Sequence, residues 1–165
     1  MTSPALKRSF PPVVDGETRL LLLGSLPGEQ SLARQRYYAH PRNQFWRLIG
    51  AVIGNDVEQM AYPDRLAALL GAGIGLWDVV ASAAREGSLD ASIRAHSAND
   101  LPTLLAALPR LQAVAFNGGT AAALGRKLLF GRTEAALVDL PSSSPAYTLA
   151  FERKRDLWLT LRSFL

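Results

Sequence analysis

No cysteine occurs among the 165 residues, which excludes disulfide frameworks, thiolate metal sites and a cysteine nucleophile. Histidine is scarce as well: His40 and His96 are too few for an ordinary zinc site unless carboxylates supply the other ligands, so no metal site is expected. No apolar run approaches the ~20 residues that a membrane-spanning helix needs. The start of the chain, Met1-Thr-Ser-Pro-Ala-Leu-Lys-Arg8, is basic, but no apolar stretch follows it as a signal peptide would require. The expectation is a cytoplasmic protein. Phosphate-binding glycine motifs are absent too. There is no G-x-x-x-x-G-K-[ST], and no G-x-G-x-x-G with an acidic residue ~20 positions on, which argues against a nucleotide hydrolase or a dinucleotide enzyme.

What is present is a globular composition, 48% hydrophobic and 19% charged, of a length that suits one domain. The net charge is only +4, but it is unevenly spread. Residues 1–47 carry +4, residues 48–125 carry −3 and residues 126–165 carry +3. Fifteen of the 18 cations are arginine, the residue suited to bidentate phosphate contacts. Two basic ends that fold together would form one basic face, as a nucleic-acid binder needs; an arginine-rich surface of no special purpose has the same composition.

Residues 1–18, with three prolines, read as an arm, and residues 19–165 as a single domain. Arg19–Gly24 is a short apolar run ending in glycine, the pattern of a buried parallel strand. A loop, Ser25–Pro41, leads to a helix over Asn43–Gly50 with Phe45, Trp46, Leu48 and Ile49 on its apolar face. Pro63–Leu70 reads as a helix with proline in its first turn and Gly71 beyond its end. Ile74–Val80 reads as a strand, and Asn99 or Asp100 caps a helix running to about Leu108. Gln112–Phe116 and Ala135–Leu140 are two more strands, each followed by a helix, the last over Phe151–Phe164. Strand–helix alternation repeated four times predicts an α/β fold: a three-layer α/β/α domain around a four-stranded parallel sheet.

Ligands of open α/β sheets bind beyond the carboxyl ends of the strands. Three strand ends here carry unusual loops: Gly24-Ser-Leu-Pro-Gly28, Asn117-Gly-Gly-Thr120 and Pro141-Ser-Ser-Ser-Pro145. Each singly is weak, since glycine and proline also end strands, but three on one rim suggest a site where backbone N–H groups approach a ligand. The segment Tyr37-Tyr-Ala-His-Pro-Arg-Asn-Gln-Phe-Trp46 adds stacking aromatics, a cation and a primary amide. Phe45 and Trp46 belong to the helix core, whereas Tyr37 and Tyr38 suit either core or stacking roles.

On these motifs the sequence resembles the uracil-DNA glycosylase superfamily, and most closely its hypoxanthine-DNA glycosylase branch. Gly24–Gly28 sits where that superfamily carries its first strand-end loop. Tyr38-Ala-His-Pro-Arg-Asn43 with Phe45-Trp46 is similar to the mismatch-specific members, Phe116-Asn-Gly118 to the second motif, and Leu140-Pro-Ser-Ser-Ser144 to the third. Gly75-Leu-Trp-Asp78 and Gly87-Ser-Leu-Asp90 resemble the hypoxanthine branch. The resemblance implies a monofunctional enzyme that flips a damaged nucleotide out of DNA and hydrolyses its glycosidic bond, without a cofactor and as a monomer. Carried over, Asn43 is the chief catalytic residue, holding water or the leaving base. Gly24, Ser25, Tyr38 and Asn117 bind the base, with Tyr38 stacking on it. Arg42, Ser142, Ser143 and Ser144 contact the DNA.

Two departures bear on mechanism. Leu26 stands where many relatives place Asp, Asn or Glu to position water, and Leu140 stands where uracil-specific members carry His. Both favour a dissociative reaction with an oxocarbenium-like sugar and late capture of water. The alternatives are a uracil or mismatched-thymine glycosylase, a non-catalytic DNA-binding module, for which Leu26 argues, and a small-molecule nucleoside binder. His40 reads as bracing its loop or touching phosphate, His96 as a surface residue of a polar linker, Asp78 as a cap or a water activator, and Arg153–Arg155 as a solvated helix face.

Overall fold

The computed structural model describes residues 6–85, 87, 88, 90 and 94–165; Leu89 of the Gly87–Asp90 motif lies outside them. Its strands are β1 (Leu6–Arg8), β2 (Leu20–Gly24), β3 (Ile74–Asp78), β4 (Val80–Ala84), β5 (Arg94–Ala98), β6 (Ala113–Asn117) and β7 (Ala136–Leu140). Its helices are α1 (Glu29–Arg34), α2 (Phe45–Ile53), α3 (Tyr62–Gly71), α4 (Leu101–Ala106), α5 (Gly119–Leu129) and α6 (Phe151–Trp158), the last continued by a 3-10 turn over Leu159–Phe164.

The four strands expected from the sequence form one sheet, in the order β3-β2-β6-β7, and every pair is parallel. β2 shows why a continuous apolar run suits this position. Leu20 and Leu22 enter one core, while Leu21 and Leu23 enter the core on the opposite face, and all four are fully buried. Each such side chain contributes roughly 1.5–3 kcal/mol relative to an exposed one. The first core collects Phe45, Trp46 and Leu48 of α2, Leu69 of α3 and Trp158 of α6. The second collects Leu101 and Leu105 of α4 with Ala121, Ala122 and Leu129 of α5. Helices therefore cover both faces, giving the three layers.

Local signals set the helix ends. The Asp100 carboxylate accepts the Thr103 N–H at 3.2 Å to cap α4, and Gly54, at φ +67°, closes α2 in the left-handed region. In the closing helix and the turn that follows it, Trp158 and Leu161 are buried, whereas Leu157 is 48% exposed.

A second sheet, not expected from the sequence, packs beside the first strand-end loop. β1, β4 and β5 form an antiparallel three-stranded sheet, so the segment read as an arm supplies a strand. Val13 of the same segment exchanges two backbone hydrogen bonds of 2.9 Å with Leu76. Ile74–Val80 is likewise not one strand, because β3 ends at Asp78 and Val80 begins β4 in the other sheet. No helix among the described residues is long and apolar enough to cross a membrane.

Candidate functional site

Gly24, Asp78, Asn117 and Leu140 are the last residues of the four parallel strands. A cavity of about 750 Å³ opens beyond them, within the usual size range of small-molecule sites. Gly24, Ser25, Tyr38, Asn43, Asn117, Ser142, Ser143 and Ser144 all line it. Arg42 does not; it is exposed beside Asn43 on the preceding turn. The sheet thus gathers the sequence-expected residues from positions 24 to 144 around one opening.

Asn43, Asn117 and Ser143 form a hydrogen-bonded chain across three loops. The Ser143 hydroxyl donates to Asn43 Oδ1 at 2.7 Å and accepts from Asn117 Nδ2 at 2.9 Å. The Ser143 N–H donates to Asn117 Oδ1 at 2.9 Å, so Ser143 clamps both ends of that amide. Asn43 Oδ1 also accepts the Phe45 N–H at 2.9 Å, an Asx turn leading into α2. With its oxygen taken by two donors, Asn43 is left with its amide nitrogen, for which no protein partner occurs among the described residues. At this position the side chain can therefore donate. Ser143 is itself only 1% exposed, so its hydroxyl serves this interior chain. Ser142 and Ser144 use theirs locally, accepting the N–H groups of Ser144 and Ala146.

Tyr38 adopts φ +54°, a left-handed conformation uncommon for a non-glycine residue. Two contacts hold it there. Its carbonyl accepts the Trp46 indole N–H at 3.2 Å, and its ring stacks on Phe45 with centroids 3.8 Å apart at 15°. Phe45 therefore covers one face of the Tyr38 ring. The phenol oxygen reaches the cavity floor over Gly24, where it is buried without a hydrogen-bond partner. A Cβ on Gly24 would lie 2.8 Å from Asp78 Oδ1 and 3.1 Å from Tyr38 Oη, so only glycine leaves this floor open.

An acidic group lies beneath. Asp78 is 3% exposed, and its Oδ2 is buried with no partner. Burial, reinforced by the nearby Asp90, pushes its carboxyl up to about 8, with Arg85 opposing. Asp90 is raised by burial and held back by Ser25, whose hydroxyl donates to it at 2.6 Å, and by Arg85. Burial lowers the Arg85 guanidinium, which donates to the carbonyls of Leu26, Pro27 and Gly87 and so fixes the first loop from behind. Leu26 contributes to a small core with Val80 and Ala83. That second sheet explains an apolar residue at this loop position.

Three further residues settle into place. His40 braces its turn, accepting the Arg42 N–H on Nδ1 at 3.0 Å. His96 is exposed, on β5. Lys154 departs from the solvated face expected of it: it is 1% exposed and donates to Gln44 Oε1 at 2.9 Å and to the Ser144 carbonyl at 3.3 Å. Burial lowers its pKa. Arg85 and Lys154 escaped the sequence reading because a single cation in a polar or charged stretch carries no periodic signal of burial.

Known proteins resemble this chain in sequence and in fold. The sequence profile of the uracil DNA glycosylase superfamily matches residues 11–163. A Methanosarcina acetivorans protein named hypoxanthine DNA glycosylase is 41% identical over 153 residues, covering 93% of this chain and 96% of its own. A Methanosarcina barkeri protein of the same name is 46% identical over 112 residues, 68% of this chain and 71% of its own. A solution NMR structure of a candidate uracil DNA glycosylase from Methanosarcina acetivorans superposes with a TM-score of 0.87 at 39% identity, over 97% of this chain and 99% of that one.

Proposed function

The chain belongs to the uracil DNA glycosylase superfamily, and from that premise we propose that it excises deaminated bases from DNA, chiefly hypoxanthine from deoxyinosine. The observation that carries the reading is the Asn43–Ser143–Asn117 chain at the mouth of the strand-end cavity. It joins three motif loops into one rigid constellation, supported by relatives named for this activity.

The damaged nucleotide swings out of the duplex into the cavity, at an unstacking cost that is least for a poorly paired base. Phe45 occupies one face of Tyr38, and the opposite face is the one left to receive the base. Asn43 presents its amide N–H groups. A donor stabilises the negative charge that builds on a departing base, and it cannot remove a proton from water. In the reaction the bond between C1′ and the base nitrogen breaks and its electron pair leaves with the base. Water then adds its oxygen to C1′ and releases a proton, leaving free base and an abasic sugar. Asn43 acts on the first of these events, which suits a dissociative course. The 142–144 loop and the exposed Arg42 hold the DNA backbone on either side of Asn43. All of these residues come from one chain, which supports a monomer, and a DNA substrate supports a cytoplasmic location.

Single-turnover excision from a deoxyinosine duplex tests the assignment. Asn43→Ala is expected to slow it at least ~10²-fold in a protein that still folds cooperatively, with a lower melting temperature because the Ser143 hydroxyl and the Phe45 N–H lose their acceptor. A folded Asn43→Ala protein that excises at the wild-type rate would remove Asn43 from the mechanism.

A further inference from the structure

Asp78, one of the carboxyls lining the cavity, takes no part in the reaction steps described for Asn43. Asp78 ends β3, lines the cavity and is 3% exposed, yet its Oδ2 has no hydrogen-bond partner. Buried polar atoms are nearly always satisfied, so an unpartnered carboxyl in a cavity lining calls for a functional account. Tyr38 Oη, the other such atom among the described residues, has the Asn117 side chain beside it. Asp78 Oδ1 and Tyr38 Oη lie 2.8 and 3.1 Å from where a Cβ on Gly24 would sit, so both side chains close over the same glycine at the cavity floor.

We propose that Asp78 is the base-reading residue of this pocket, pairing as a neutral carboxylic acid with the adjacent C=O and N–H of a lactam ring. The proposal deepens the glycosylase reading and rests on it. A neutral acid presents one O–H donor and one C=O acceptor side by side. Hypoxanthine, xanthine and uracil each present a ring C=O next to an N–H, and the two pairs close into a cyclic, two-bond contact. A carboxylate has only acceptors and would repel the ring carbonyl.

The surroundings keep the acid neutral. Asp90 faces it with like charge, Tyr37 and Tyr38 are phenols, and the cation that opposes them, Arg85, is already committed to the carbonyls of Leu26, Pro27 and Gly87. His40 and Glu29 also line the cavity, but neither bonds to Asp78. Burial and Asp90 thus hold the proton on Asp78 at neutral pH. The same donor–acceptor pair also matches the ring nitrogen and amino group of adenine. Rejection of normal bases therefore falls to the flipping step, which intact pairs resist.

The test is single-turnover excision by wild type, Asp78→Ala and Asp78→Asn on duplexes carrying either deoxyinosine or unsubstituted deoxyribosylpurine, which lacks the lactam. Wild type is expected to prefer deoxyinosine. Asp78→Ala is expected to lose ~10²-fold on deoxyinosine but little on deoxyribosylpurine, so that the preference collapses. Asp78→Asn keeps one donor and one acceptor, and is expected to recover at least a tenth of the wild-type rate on deoxyinosine, roughly the scale of one imperfect hydrogen bond. Equal losses on both substrates, or a preference that survives in Asp78→Ala, would overturn the assignment while leaving the glycosylase reading intact. Wild-type protein that excises neither base would overturn both.

Discussion

Replacing Ser143 by alanine removes one oxygen atom from the centre of the site, and the structure sets the size of the effect. That oxygen donates to Asn43 Oδ1 at 2.7 Å and accepts from Asn117 Nδ2 at 2.9 Å, in a residue 1% exposed. The backbone contacts of Ser143, N–H to Asn117 Oδ1 and carbonyl from the Gln44 N–H, survive the change. Two buried hydrogen bonds disappear and one amide donor is left under-satisfied, a loss of about 2–3 kcal/mol. For a chain of this length that lowers the melting temperature by roughly 5–10 °C. The catalytic cost is separate. Asn43 keeps its bond to the Phe45 N–H but loses the partner that fixes its rotation, and a slight misplacement of such a group can slow a reaction by ~10²-fold. Ser142→Ala is the control, since among the described residues its hydroxyl bonds only the nearby Ser144 N–H, and it is expected to cost under ~1 kcal/mol. Thermal melts and single-turnover excision on deoxyinosine duplexes read both quantities. If Ser143→Ala melts within about 2 °C of wild type and excises at its rate, the three-loop chain does not hold Asn43.

Other perturbations reach the floor and the back of the site. Gly24→Ala places a methyl group 2.8 Å from Asp78 Oδ1 and 3.1 Å from Tyr38 Oη, so excision should fall at least ~10-fold with a loss of stability of about 1–3 kcal/mol, and an unaffected rate would move the base off that floor. Asp78 titrates near 8 in the folded chain, against ~3.9 in an unfolded one. Between those values the folded state holds a proton that the unfolded state has lost, so this contribution to stability is full below ~4 and declines towards pH 8, by at most ~1.4 kcal/mol per pH unit. In urea denaturation against pH, Asp78→Asn should show a shallower decline than wild type over this window, with Asp90 leaving a residual slope of the same sign; parallel curves would contradict it. Lys154→Met removes a buried charge that no carboxylate bridges among the described residues. Stability is expected to stay within ~1 kcal/mol while excision drops several-fold as the Ser144 carbonyl loses its anchor, and an unchanged rate would confine Lys154 to packing.

The parallel sheet was legible because Arg19–Gly24 and Gln112–Phe116 are apolar on both faces and end in loop residues, a pattern with few competing readings. The antiparallel sheet was not. Its β4 and β5, Val-Ala-Ser-Ala-Ala and Arg-Ala-His-Ser-Ala, hold small and polar residues with a single β-branched side chain between them, so neither periodicity nor propensity marks them. α1 was hidden for a related reason, since six residues present too little of an apolar face to register a period. At the site, the motif loops announced which residues would meet, and strand order brought them together. Their hydrogen-bonding roles were invisible, because nothing in Pro-Ser-Ser-Ser-Pro distinguishes the middle serine, which is buried, from its two neighbours. Arg85 and Asp90 become site residues only through the second sheet and its following turn, and no local pattern specifies such long-range placement.

The most direct measurement is single-turnover excision by the wild-type chain on duplexes carrying one deoxyinosine, deoxyxanthosine, deoxyuridine or mismatched thymine, read as strand scission after alkali. Excision strongest on deoxyinosine is the expected result. Uracil as the preferred substrate would contradict the assignment to hypoxanthine, and duplex binding without excision of any of the four would contradict the enzyme itself.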